Sequence, residues 1–317
     1  MKLKDIYNLA VKRGIAYDPR GKEVVAKELA GLRKKYDKLS PEEKDEFDKE
    51  KLENPYADTR ILYGSGQEEV RSILVGIDID VGEVLLADYL STKGRKIDLV
   101  LAHHPEGRAL ASLYEVMNMQ AEIFRQYGVP INVAEGLMEG RVKEVERKLM
   151  PANHRRAIDA ARLLKIPFLC VHTPADNAVT DYLNRIFKKE KFEGVGDVLR
   201  CLKKIPEYRE SLKDNAGPKI ILGSPEKRAG KIMVDMTGGT EESELLLEKF
   251  SQAGVGTMVC MHMGEKHVGE AKKHHLNIII AGHIASDTLG LNRILDDLDP
   301  NGKLEIIPCS GFTRIKR

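Results

Sequence analysis

Ile97-Asp98-Leu99-Val100-Leu101-Ala102-His103-His104-Pro105 is the stretch on which the reading of this 317-residue chain turns. A short apolar run ends in two imidazoles and then in a proline, which cannot continue strand pairing. Two further stretches repeat the layout. Pro167-Phe-Leu-Cys-Val171 runs into His172-Thr-Pro-Ala-Asp176, and Asn277-Ile-Ile-Ile-Ala281 runs into Gly282-His-Ile-Ala-Ser-Asp287. Short continuous apolar runs fit strands of a parallel sheet covered on both faces, and the carboxyl ends of such strands open on one crevice. Polar residues just past those ends can therefore meet although they lie about 70 and about 110 residues apart.

Working outward, comparable runs occur at Ser72 to Ile77, Lys219 to Leu222, Lys231 to Asp235, Thr257 to Met261 and Leu304 to Ile307, with helical patterns between most of them. The body of the chain reads as α/β with mainly parallel sheets. Residues 1–65 differ: they are dense in charges of both signs, and short apolar stripes at Leu3, Ile6, Leu9 and Ala10 and at Val25, Leu29 and Leu32 follow helical spacing. They read as a helical extension with solvated charged faces. Ser40-Pro41-Glu42-Glu43 starts its third helix, with Ser40 as cap and Glu43 reaching back. The charged stretch from Lys188 to Gly217, with Gly194, Gly196 and Pro206, reads as the link between two lobes, 66–215 and 216–317.

Composition narrows the function class. Lys plus Arg is 51 against 49 for Asp plus Glu, a net charge of +2, and aromatic residues make up 5%, so neither a nucleic acid nor an anionic membrane is favoured as partner. No apolar run approaches the ~20 residues of a bilayer span, and Met1-Lys2-Leu3-Lys4-Asp5 turns polar too soon for a secretion signal. A cytoplasmic protein is expected. Four scattered cysteines, Cys170, Cys201, Cys260 and Cys309, form no CxxC pair and read as reduced thiols.

The chemistry collects at the three strand ends. His103 and His104 can face one crevice only if the strand has ended, because consecutive strand residues point to opposite faces. Adjacent imidazoles can then serve one metal each or bracket a pair. Within each of the other two clusters a carboxylate follows a histidine by four residues, one helical turn, so both can reach the same ion. Singly, each pair also reads as a helix-capping aspartate beside a buried histidine; three such clusters together favour a shared metal site. The donors exceed what one tetrahedral zinc needs and include bridging carboxylates, which points to two metals and to hydrolysis as the default chemistry. Asp78 and Asp80, after the Ser72 to Ile77 run, read as acceptors for a ligand histidine or as turn formers. Thr237-Gly238-Gly239-Thr240 reads as an ordinary turn, because Glu241 and Glu242 follow and repel an anion.

At these residues the sequence resembles the Nif-3-like (NGG-interacting factor 3) dinuclear metal-centre proteins, many labelled type 2 GTP cyclohydrolase I. The likeness covers most of residues 60–317. Val70 to Ile79 is similar to the family's first strand, Ile97 to Pro105 to its aspartate, apolar run and His-His-Pro, His172 to Asp176 to its His-Thr-x-x-Asp, and Gly282 to Asp287 to its Gly-His-x-x-[Ser/Thr]-Glu. The resemblance implies two intertwined three-layer α/β/α lobes assembled as a toroidal homohexamer. It implies His103, His104, Asp176, His283 and Asp287 as ligands of two divalent transition metals, zinc, iron or manganese, with Asp176 or Asp287 bridging. His172 and His267 are then the expected proton-transfer residues. Position 287 departs from the family's usual glutamate, which is one methylene longer. The leading expectation is a metal-dependent hydrolase for a small nucleotide-like or phosphorylated substrate, with a GTP cyclohydrolase as one form; the alternative is a non-catalytic metal-binding or partner-binding toroid.

Overall fold

The computed structural model describes residues 1–317 and contains two sheets. The first holds β1 (Arg60–Tyr63), β2 (Ser72–Gly76), β3 (Leu99–Ala102), β4 (Phe168–Cys170) and β9 (Glu305–Pro308) in the order β1-β4-β3-β2-β9, all parallel except β1. The second holds β5 (Lys219–Leu222), β6 (Lys231–Asp235), β7 (Val255–Cys260) and β8 (Asn277–Ile280) in the order β5-β8-β7-β6, with only β5 antiparallel. Apart from the appended β9, the two sheets share one topology. All eight expected strands are present, and β1 is a ninth.

The first sheet alternates as a sheet buried on both faces must. Ile73, Val75, Leu99 and Leu101 face one core, and Leu74, Val100, Phe168 and Cys170 face the other. The helices Thr173–Phe187 and His283–Leu298 follow β4 and β8 and pack against each other. Ala175, Ala178, Leu291 and Leu295 join the first sheet's core, while Val179, Leu183, Ala285 and Leu289 join the second's. This pair is a helical layer common to both sheets, which is how two three-layer lobes are intertwined. Its apolar surface is buried on more than one side, consistent with runs such as Thr173 to Thr180 in which every residue is buried.

Chain sharing goes further. Helices Met119–Gln126 and Ile131–Leu149 leave between β3 and β4 yet cover the second sheet, where Phe124, Ala134 and Met138 meet Met233, Met258 and Ile278. The charged stretch 188–217 is itself folded into helices Val195–Leu202 and Pro206–Lys213, anchored by Val195, Val198, Leu202 and Tyr208.

Residues 1–65 are mostly helical, as expected, but they are built into the first lobe. Helix Leu3–Tyr17 buries Leu3, Ile6, Tyr7, Ala10 and Val11 against the sheet. Helix Lys22–Asp37 buries only Val25, and Ser40 and Glu43 form the expected capping box on helix Pro41–Glu46. The segment ends as β1, whose Arg60 is buried by ion pairs of 2.7 Å to both Asp48 and Glu50. No helix is long and apolar enough to cross a membrane.

Candidate metal centre

Strand pairing brings the three clusters together. The backbone amides of His103 and His104 still bond to the carbonyls of Gly76 and Ile77 at 3.0 and 2.9 Å, yet β3 ends at Ala102 and the two rings turn the same way, 5.2 Å apart. His172 and Gly282 are the residues just before the central helices, so Asp176 lies in the first turn after β4 and Asp287 just past the first turn after β8. Gly282 makes that turn at φ +112°, where a Cβ would lie 2.6 Å from the Ala216 carbonyl oxygen.

Three of the histidines are held by Nδ1. His103 Nδ1 lies 3.2 Å from the Val171 carbonyl oxygen, which can only accept, so Nδ1 donates and Nε2 faces the carboxylates. His104 Nδ1 bonds Asp78 at 2.7 Å, and His172 Nδ1 bonds Asp58 at 2.8 Å. Of the two readings for Asp78 and Asp80, Asp78 orients a site histidine, whereas Asp80 caps helix Val81–Thr92.

The other atoms converge on the carboxylates. His103 Nε2 is 3.4 Å from Asp176 Oδ1 and 3.3 Å from Asp287 Oδ1; His104 Nε2 and His283 Nε2 are 3.4 and 3.6 Å from Asp287 Oδ2. Donors about 2.0–2.2 Å from a tetrahedral ion are about 3.4 Å from one another, the spacing seen here. His103 Nε2, Asp176 Oδ1 and both oxygens of Asp287 are buried without a hydrogen-bond partner, an arrangement costing about 1–3 kcal/mol per atom unless something satisfies it. Two overlapping groups can hold an ion: His103, His172 and Asp176, and His103, His104 and Asp287.

Electrostatics follows from burial and from these neighbours. Burial opposes ionisation of Asp287, but His103, His104 and His283 outweigh it and hold the carboxyl well below its usual range. Burial pushes Asp176 up to about 6 against His172 and His103. His172 is pulled down by burial but carried up to about 9 by Asp176 and Asp58, and burial lowers His283 to about 4. A cation must displace the protons of His172 and Asp176, so binding releases protons and tightens as pH rises through about 6 and on toward about 9. Zinc or manganese titrations are expected to show at least about a tenfold gain in affinity between about pH 5.5 and about pH 8.5; a flat profile would count against this ligand set.

The site opens into a cleft of about 60 Å³ whose far wall comes from the second lobe, including Asp235, Thr237, Glu241 and His262. His262 Nδ1 is 3.2 Å from Glu241 Oε1, and its ring lies 4.7 Å from that of His283. The Thr237–Thr240 loop is a turn, pinned by Gln120 bonding the Gly238 and Thr240 carbonyls, and the next helix starts only at Leu246. His267 is not brought to the cleft. It is buried with Nε2 on the Glu242 carbonyl at 2.9 Å, where it holds the Glu241–Glu242 turn.

No family model matches the chain, and no curated protein matches it. Among solved structures, a NIF3 superfamily protein from Sphaerobacter thermophilus superposes with a TM-score of 0.68 at 28% identity, over 80% of this chain and 91% of that one. The chain is similar in fold and sequence to this NIF3 superfamily protein. Reduced HcgD from Methanocaldococcus jannaschii shares the fold, with a TM-score of 0.51 at 16% identity over 84% of this chain and 94% of that one.

Two residues of this site escape the sequence reading. Asp58 precedes β1, a strand too short to announce itself, and it is fully buried where it accepts from His172 and, at 2.6 Å, from Thr173 Oγ1. His262 carried a usable signal: it stands two residues past β7, as His104 stands two residues past β3.

Proposed function

We propose that this protein is a metal-dependent hydrolase with a dinuclear centre, acting on a small nucleotide-like or phosphorylated substrate. The observation that carries the reading is the convergence of buried, unpartnered donor atoms from His103, Asp176 and Asp287. His103, His172 and Asp176 would hold one divalent ion and His104 and His283 the other, with Asp287 between them because its two oxygens face different histidines. Zinc, iron or manganese suits these nitrogen and oxygen donors, and such ions supply a water activated for attack near neutral pH and a Lewis acid for the leaving oxygen. Asp78 and Asp58 fix the ring orientations of His104 and His172. With His172 assigned to an ion, proton exchange with substrate falls to His262, which Glu241 holds on the opposite wall.

The test is a panel of nucleoside triphosphates including GTP, nucleoside monophosphates and simple phosphodiesters, each with zinc, iron(II) or manganese. Turnover of at least one substrate is expected, abolished by a chelator and by His103→Ala. Full metal uptake with no turnover of any member would replace this reading with that of a non-catalytic metal-binding protein.

A further inference from the structure

A second cavity, of about 860 Å³, lies in a different place, between helix Leu3–Tyr17, the turn Lys49–Leu52 and β1. Its volume falls in the range of small-molecule sites, roughly 300–1,000 Å³. None of its lining residues belongs to the metal cluster.

The charge of this cavity is one-sided. Lys4, Lys12, Lys22 and Lys49 line it, and none has an ion-pair partner. Arg13 and Arg108 add two more cations, held at 3.4 Å by Asp297 and at 2.5 Å by Glu50. Only Glu50 and Glu53 oppose them, and Glu50 is already bonded to Arg60, Arg108 and Tyr7. Four unpaired ammonium groups around one concavity raise its potential and concentrate anions there, although the whole chain carries a net charge of only +2.

The floor is of another kind. Val11, Ile15 and Ile61 present apolar surface. Tyr7 and Asn54 are fixed by bonds to Glu50, to each other and to the Thr59 carbonyl. A ligand complementary to both parts has several negative charges at one end and an apolar or planar body at the other.

We infer that this cavity binds a small phosphorylated organic anion of nucleoside di- or triphosphate size. Lysine is a compact point charge suited to phosphate oxygens, and the concave, bounded shape suits a discrete molecule better than a polymer backbone.

The test is calorimetric titration of the full chain with ATP, GTP, pyrophosphate and inorganic phosphate at low ionic strength. Saturable binding of a nucleotide is expected, stronger than that of pyrophosphate, with inorganic phosphate weakest because neither the floor nor the spread of lysines is fully used. Lys12→Glu/Lys49→Glu should weaken nucleotide binding at least about tenfold and leave metal content unchanged. Lys12→Gln/Lys49→Gln, which only removes charge, should weaken it by less and in the same direction. The inference is overturned if no probe binds saturably, if both lysine variants bind as the parent does, or if binding survives in them but is lost in His103→Ala/His283→Ala, which would place the nucleotide in the metal cleft.

Discussion

Alanine at Asp287 should empty the metal centre. Elemental analysis of Asp287→Ala protein, purified without chelators or added metals, is expected to find less than about a tenth of the parent's metal. Asp287 is completely buried, and its two oxygens stand 3.3–3.6 Å from His103, His104 and His283. No other carboxylate reaches all three rings, so the substitution removes the shared anion as well as two donor atoms. His267→Ala is the control, since His267 bonds the Glu242 carbonyl outside the cluster and its loss should spare the metal. An Asp287→Ala protein with parental metal content would sink the assignment of this centre.

Gly290→Ala carries the largest expected stability effect. Gly290 lies where helix His283–Leu298 crosses helix Thr173–Phe187, and a Cβ there would fall 2.3 Å from the Ala175 carbonyl oxygen. The obstacle is backbone, so only a shift of one whole helix relieves it. A loss of about 3 kcal/mol is expected, seen as a fall in Tm by calorimetry. These helices carry Asp176 and Asp287, so metal affinity should fall with it. Gly136→Ala separates this effect from helix propensity: Gly136 is inside helix Ile131–Leu149, a Cβ there meets nothing within 4 Å, and alanine should stabilise by about 0.5–1 kcal/mol. Equal Tm values for Gly290→Ala and the parent would mean that the helix pair is looser than its packing implies.

What was legible in the sequence is what local chemistry writes strongly. Buried strands such as Leu99–Ala102 and Asn277–Ile280 have no polar face, so they stand out between amphipathic helices, and residues just past their ends are marked by position. That was enough to find His103, His104, His172, Asp176, His283 and Asp287, which the structure brings together. Edge pairing is less visible. Arg60–Tyr63 is four residues long and antiparallel, and its first side chain is an arginine buried only because Asp48 and Glu50 neutralise it. A strand of that kind looks like loop, and Asp58 just before it was hidden for the same reason. The burial of helix Leu3–Tyr17 was hidden differently: one apolar stripe looks the same whether it covers a sheet or another helix. Counting from the strand end selects His262, two residues past β7.

The placement of β9 bears on how the protein is made. β9 comes after every other strand in the chain, yet it pairs with β2, the second to be synthesised. While the polypeptide emerges from the ribosome, that flank of β2 offers bare amides and carbonyls until the entire second lobe has followed. Pairings that close so late in sequence are slow, and a waiting edge of Ile73, Leu74 and Val75 invites association between nascent chains. Efficient production of this protein therefore depends on keeping that flank shielded until β9 has been made.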